Sequence, residues 1–180
     1  MSSTHFGFES VSEQDKARRV RGVFDSVALS VCLSKGLGAP AGSLLMMNDL
    51  TLLDKAKRLR RMYGGAMRQS GILAAAGIYA LEHHIGRLKM DHDHAKRLAR
   101  QLQQIPTVRI NPQDVDTNIV IFEVIGHRLA PPAIVVAALK QEGVLINAIG
   151  GNSFRAVTHL DISSAMTEEA CEIFTRVLMN

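Results

Sequence analysis

Apolar and polar positions change their spacing several times along the chain, and each change marks an element. Residues 1–22 are polar with weak periodicity, which predicts a loose leader with at most a short helix at Glu13–Arg21. From Phe24 the texture changes. The run Val27–Leu33 is apolar and partly β-branched, and glycine and proline follow it, which predicts a buried strand. Gly36-Leu37-Gly38-Ala39-Pro40-Ala41-Gly42 reads as a turn with several positions free to take positive φ. Ser43–Met47 reads as a second short strand. Asn48 or Asp49 then caps a helix that runs to about Met62, and Gly64-Gly65 interrupts it.

Ala66 to Gln104 is the longest helical stretch. Leu73, Ala76, Gly77, Ala80 and Leu81 form its apolar face; Arg87, Lys89, Lys96 and Arg97 form a wet one. His83-His84-Ile85-Gly86 marks a break, because glycine weakens a helix interior. After Pro106 come strands at Thr107–Ile110 and Asn118–Val124. A helix over Pro131–Glu142 follows, ended by Gly143. Strands are predicted at Val144–Asn147 and Arg155–Leu160. The final helix is Thr167–Met179, with Ser164 or Thr167 as cap and acids in its first turn. The chain therefore divides into a leader (1–22), an α/β portion with the long helix (23–105) and a small α+β domain (106–180), with the boundary near Ile105–Asn111.

Composition narrows the classes. With 180 residues, 47% hydrophobic and 21% charged, the chain is long enough for a core and is not disordered or fibrous. No stretch of about 20 apolar residues spans a membrane. The N-terminus has no apolar core and carries acids, so it is not a secretory signal. Two cysteines exclude a disulfide scaffold and fit a reducing, cytoplasmic setting. The absence of Trp, with two Tyr and six Phe, argues against a stacking surface for nucleic acid. Net charge is only +4, but Lys55, Lys57, Arg58, Arg60 and Arg61 cluster. That run either meets an anion such as a phosphate or is a solvated helix face.

The sharpest chemical feature is Ser34-Lys35-Gly36-Leu37-Gly38, a lysine where an apolar strand meets a glycine-rich turn. Burial there would favour the neutral amine, which attacks an aldehyde to form a Schiff base. The plainer reading is an exposed turn lysine. Asp91-His92-Asp93-His94, with His83 and His84 upstream, has ligand types, but Asp91 and Asp93 fall on different helix faces, so no metal is expected. Cys32 reads as a small buried hydrophobe rather than a nucleophile.

Four segments occur in order: Phe24-Asp25-Ser26-Val27, Val31 to Ser43 around Lys35, Gly64-Gly65-Ala66-Met67-Arg68-Gln69-Ser70-Gly71, and Arg155-Ala156-Val157-Thr158-His159-Leu160-Asp161. Together they resemble the low-specificity L-threonine aldolases over about residues 24–179. The resemblance implies a fold-type-I enzyme dependent on pyridoxal 5′-phosphate, cleaving L-threonine or L-allo-threonine to glycine and acetaldehyde. It implies a homo-oligomer, a tetramer in the family, with no nucleic-acid or membrane partner. By the same resemblance Lys35 holds the cofactor covalently, Arg155 holds the substrate carboxylate, and Arg68 and Arg61 serve the cofactor phosphate. Ala66 stands where the family has a third glycine. His159 and Asp161 flank the carboxylate arginine and either orient it or form a structural pair.

The family's phosphate loop, ring-stacking histidine and pyridine-pairing aspartate lie well upstream of its lysine, and the 34 residues before Lys35 carry no such motif. The chain is therefore expected to be the C-terminal part of such an enzyme, a remnant of the large domain plus the small α+β domain. Its remaining strands would carry an uncovered apolar face or an open edge. The alternative function is a truncated, non-catalytic fragment acting at most as an oligomerisation module.

Overall fold

The computed structural model describes residues 28–126 and 131–179. The leader at 1–22 and the Phe24-Asp25-Ser26-Val27 segment lie outside them. The chain packs as two units, Val11–Leu88 and Lys89–Asn180.

In the first unit, β1 (Ala28–Cys32) and β2 (Ser43–Met47) pair antiparallel, Ala28 opposite Met47 and Cys32 opposite Ser43. The connection between them is short and glycine-rich, as the turn signal predicted. Asp49 begins the next element: its carboxylate accepts from the Thr51 amide at 2.9 Å and opens a 3-10 turn, Leu50–Leu52. Helix α1 (Leu53–Met62) follows and stops at Gly64-Gly65; helix α2 runs over Gly71–His83. The small core is Leu33, Leu37, Ala39 and Ala80, with Val31, Leu81 and Leu88 packed around it. Gly77 lets α2 approach closely, since a Cβ there would lie 3.1 Å from Leu33 Cδ1. Apolar side chains are uncovered on both sides of β2: Leu44 and Met46 on one face are 38% and 47% exposed, and Leu45 on the other is 56% exposed.

The second unit is a four-stranded antiparallel sheet with helices on one face. Its strands are β3 (Val108–Arg109), β4 (Ile119–Val124), β5 (Asn147–Gly150) and β6 (Ser153–Val157), in the spatial order β3-β4-β6-β5. Helices α3 (Leu88–Gln103), α4 (Pro132–Gln141) and α5 (Ser164–Met179) supply the cover. Strand alternation sets the faces: Val120, Phe122, Val124, Phe154 and Ala156 point inward, while Ile119, Ile121, Arg155 and Val157 are exposed. The inward side chains meet Leu98, Leu102, Leu139, Phe174 and Leu178 in one core.

The predicted break after His83 is found, but α3 packs with the residues after Pro106, through Ala95, Leu98, Ala99 and Leu102. The packing division thus falls at Leu88–Lys89, earlier than the Ile105–Asn111 expectation. The strand predicted at Val144–Asn147 begins only at Asn147. Gly143, at φ +94°, and the Val144 amide bonded to Leu139 O wrap up the end of α4 and use those residues first. Helix α5 starts at Ser164, so Ser163 is its cap, accepting from the Met166 amide, and Glu168 falls beyond the first turn. No helix among the described residues is long and apolar enough to cross a membrane.

Candidate functional site

Lys35 sits on a turn fixed from below. Leu33 N donates to Gly42 O at 2.9 Å, Gly38 N to Lys35 O at 2.8 Å and Ala39 N to Leu33 O at 3.0 Å. His84 Nδ1 lies 2.6 Å from Leu37 O and ties the turn to the end of α2. Leu33, Leu37 and Ala39 are buried, and Lys35 between them is exposed. Gly36 sits in close packing: a Cβ there would stand 2.9 Å from Leu88 Cδ2, the tip of a side chain that would have to shift. Of the two readings of this lysine, the exposed turn residue is the one found, because the turn folds its apolar neighbours inward and leaves the Lys35 side chain outward. A rigid platform with a reachable amine is the result.

Arg61 and Arg68 flank the second glycine turn. Arg61 is in the last turn of α1, and Arg68 follows Gly64-Gly65-Ala66-Met67. Both are exposed. Ala66 is absent from the positive-φ positions, so alanine fits where the family has a third glycine. In the second unit, Arg155 stands on the exposed face of β6, opposite Ile121 on β4 and Asn147 on β5. Among the described residues no acidic side chain pairs with Arg61, Arg68 or Arg155. No carboxylate engages the donors of these three guanidiniums, whereas Arg97 spends its own on Glu168 at 2.8 Å.

The other candidates resolve differently. His159 and Asp161 lie past the end of β6; Asp161 N donates to His159 Nδ1 at 3.3 Å, and the carboxylate is 3.5 Å from the same nitrogen. They form a local pair in a turn. In α3, Asp93 is exposed and pairs with Lys89 at 2.6 Å, while Asp91 and His94 are buried. No three ligand-type side chains converge among the described residues.

Cys32 corrects its expectation: it is exposed, with Sγ 3.3 Å from Ser34 Oγ. Hydrogen bonding to Ser34, helped by the Lys35 charge, holds its thiol below the usual cysteine range. Burial pushes the Cys171 thiol up. Alkylation by iodoacetamide is therefore expected to label Cys32 well before Cys171. The Cys32 rate should already rise at a pH where an ordinary thiol is protonated. Peptide mass spectrometry checks this, and equal rates would contradict the exposure difference.

Two features had no clear mark in the sequence. Gln69 has φ +50°, a left-handed conformation rare for a residue with a side chain, directly beside Arg68. Arg60 bonds through its side chain to the glycine turn, Nε to Gly65 O at 2.9 Å. The sequence marks it only as one member of the basic run and by its place in the last turn of a helix before two glycines.

A family model described as beta-eliminating lyase matches residues 8–125. The chain is 45% identical over 142 residues to the low specificity L-threonine aldolase of Escherichia coli (strain K12), covering 79% of this chain and 40% of that protein. It is 36% identical over 155 residues to low-specificity L-threonine aldolase 1 of Arabidopsis thaliana, covering 84% and 42%. It thus spans about two fifths of the length of these curated relatives. A crystal structure from Listeria monocytogenes EGD-E, provisionally assigned as an L-allo-threonine aldolase, matches with a TM-score of 0.65 at 20% identity, covering 84% of this chain and 45% of that one. A variant of SPT solved with PLP matches with a TM-score of 0.64 at 18% identity, covering 83% and 39%. At these identities the likeness shows the fold, and it is the fold-type-I architecture, in part, that the sequence led one to expect.

Proposed function

The chain belongs to the beta-eliminating lyase family, and on that premise we propose that it serves a pyridoxal-phosphate lyase that cleaves L-threonine or L-allo-threonine to glycine and acetaldehyde. The observation that carries this reading is Lys35, an exposed amine on a turn pinned by three main-chain hydrogen bonds. The donor set fits two parts of the cofactor. A primary amine suits its aldehyde, and the guanidiniums of Arg61 and Arg68 suit its phosphate dianion. When bound, the cofactor withdraws electrons from the substrate's α-carbon.

The chain's own residues do the rest. Lys35 Nζ would hold the cofactor, and the turn beneath it is packed and hydrogen-bonded, which would limit its movement. Arg155 takes the substrate carboxylate in a two-pronged pair, which orients the amino acid and leaves its β-hydroxyl free. We propose a cytoplasmic setting and, from the family resemblance, a homo-oligomer.

Glycine release from L-threonine and L-allo-threonine, with and without added pyridoxal phosphate, tests the activity. Cofactor-dependent glycine is expected. Folded protein that releases none with the cofactor present overturns the aldolase reading for this chain. Within the same assay, Arg155→Ala is expected to weaken glycine binding about tenfold to a hundredfold, the worth of a charged bidentate pair, and to leave cofactor capture unchanged. Equal glycine affinity in the two proteins would take the carboxylate away from Arg155.

A further inference from the structure

We propose that Arg60 is a positioning residue that clamps the glycine turn carrying Arg68 and so holds Arg61 and Arg68 as a fixed pair of cations. The inference rests on the proposed function, since the anion those two arginines meet is taken to be the cofactor's phosphate.

The turn is built in layers. Gly64, at φ +75°, follows closely on the last residue of α1, and its amide donates to Arg61 O at 3.2 Å. The Gly65 amide donates to Arg60 O at 2.7 Å. These two bonds form the helix-ending motif that satisfies the last carbonyls of a helix. Such a motif fixes the backbone only as far as the Gly65 amide. The Gly65 carbonyl, which steers the chain toward Arg68, is the next group out. Arg60 takes that carbonyl as well, its Nε donating at 2.9 Å. One residue therefore holds both sides of Gly65, by main chain and by side chain. The fit is tight: a Cβ on Gly65 would lie 3.1 Å from Arg60 Cγ and 3.2 Å from Arg60 O. Three residues on is Arg68, followed by Gln69 in its left-handed conformation. A strained residue persists where the surrounding backbone is over-determined, and the Arg60 bond supplies one such restraint.

The clamp depends on a donor at the Nε position, not on charge. Gln places its amide nitrogen at the same distance along the side chain without the charge, and Met places a methyl there. Capture of pyridoxal phosphate and of pyridoxal, which lacks the phosphate, separates the cases. Arg60→Met is expected to weaken capture of pyridoxal phosphate about threefold to tenfold, the effect of one lost hydrogen bond, and to leave pyridoxal unchanged. Arg60→Gln is expected to stay within about twofold of the native protein. Hydrogen exchange at the Gly65 amide reads the clamp with no cofactor present: faster in Arg60→Met, unchanged in Arg60→Gln. Equal losses in both variants would assign the effect to charge and overturn the clamp, as would no loss in either or an equal loss for pyridoxal. If exchange responds as expected but the native protein captures both probes alike, the clamp stands as a turn device. The phosphate role of Arg61 and Arg68, and with it this proposal, then falls.

Discussion

Lys35→Ala should abolish borohydride-fixed capture of pyridoxal phosphate at the Val31–Ser43 segment. Loss should be complete at that segment, because the captured bond needs the lysine nitrogen itself. Lys55 and Lys57 are exposed amines on α1, so some labelling of the α1 peptide at high reagent is no contradiction. The expected distinction is saturable labelling at Lys35 in the native protein against only slow, unsaturable labelling elsewhere in the variant. The fold should be untouched: the Lys35 side chain is exposed, and the turn's bonds are made by main-chain atoms. Stability should therefore move by no more than about 0.5 kcal/mol. A variant that captures the cofactor as the native protein does would remove Lys35 from its role.

The second large effect concerns the core. Phe122→Ala should destabilise the Lys89–Asn180 unit by about 3–5 kcal/mol. Phe122 is fully buried, with its ring 5.6 Å from Phe154 and 5.7 Å from Phe174, stacked on one and edge-on to the other. Truncation removes the ring's buried area and both aromatic pairings, one to β6 and one to α5, at once. Against a typical stability of about 5–15 kcal/mol this is a large share. Urea unfolding followed by helical circular dichroism measures it. The neighbouring Ile121, on the exposed face of the same strand, is the control and should cost much less. A loss below about 1.5 kcal/mol for Phe122 would mean that the site collapses around the gap.

Much of the local structure was legible because single residues decide it. Asp49 starts an element where its carboxylate meets the Thr51 amide, and Gly143 ends a helix where only a positive φ serves. Alternation in Ile119–Val124 set the buried and exposed faces of β4. The misreadings have a common cause, which is that packing partners are not written locally. Helix α3 looks like a continuation of α2, yet its apolar stripe fits the sheet that comes after it. Val144 and Ile146 read as strand by composition, but Ile146 is buried from an irregular segment and the strand begins beyond it. Exposure of Lys35 and Cys32 follows from which neighbours the turn folds inward, and glycine-rich sequence leaves that open. The site residues themselves came from the resemblance. The structure adds the Arg60 Nε bond to Gly65 O, which no motif names.

The order of the strands sets how fast each unit can form. In the first unit β1 meets β2 across a short connection, Cys32 against Ser43, and this closure is quick. In the second, β4 must wait for β6, Ile119 against Val157, with all of α4 and β5 made in between. Such distant pairing lowers the folding rate, since chain entropy is lost before the contacts reward it. During that interval Val120, Phe122 and Phe154 have no cover. Newly made chains should thus be lost mainly to association through these strands, and lower temperature or dilution during refolding should raise the yield of this unit first.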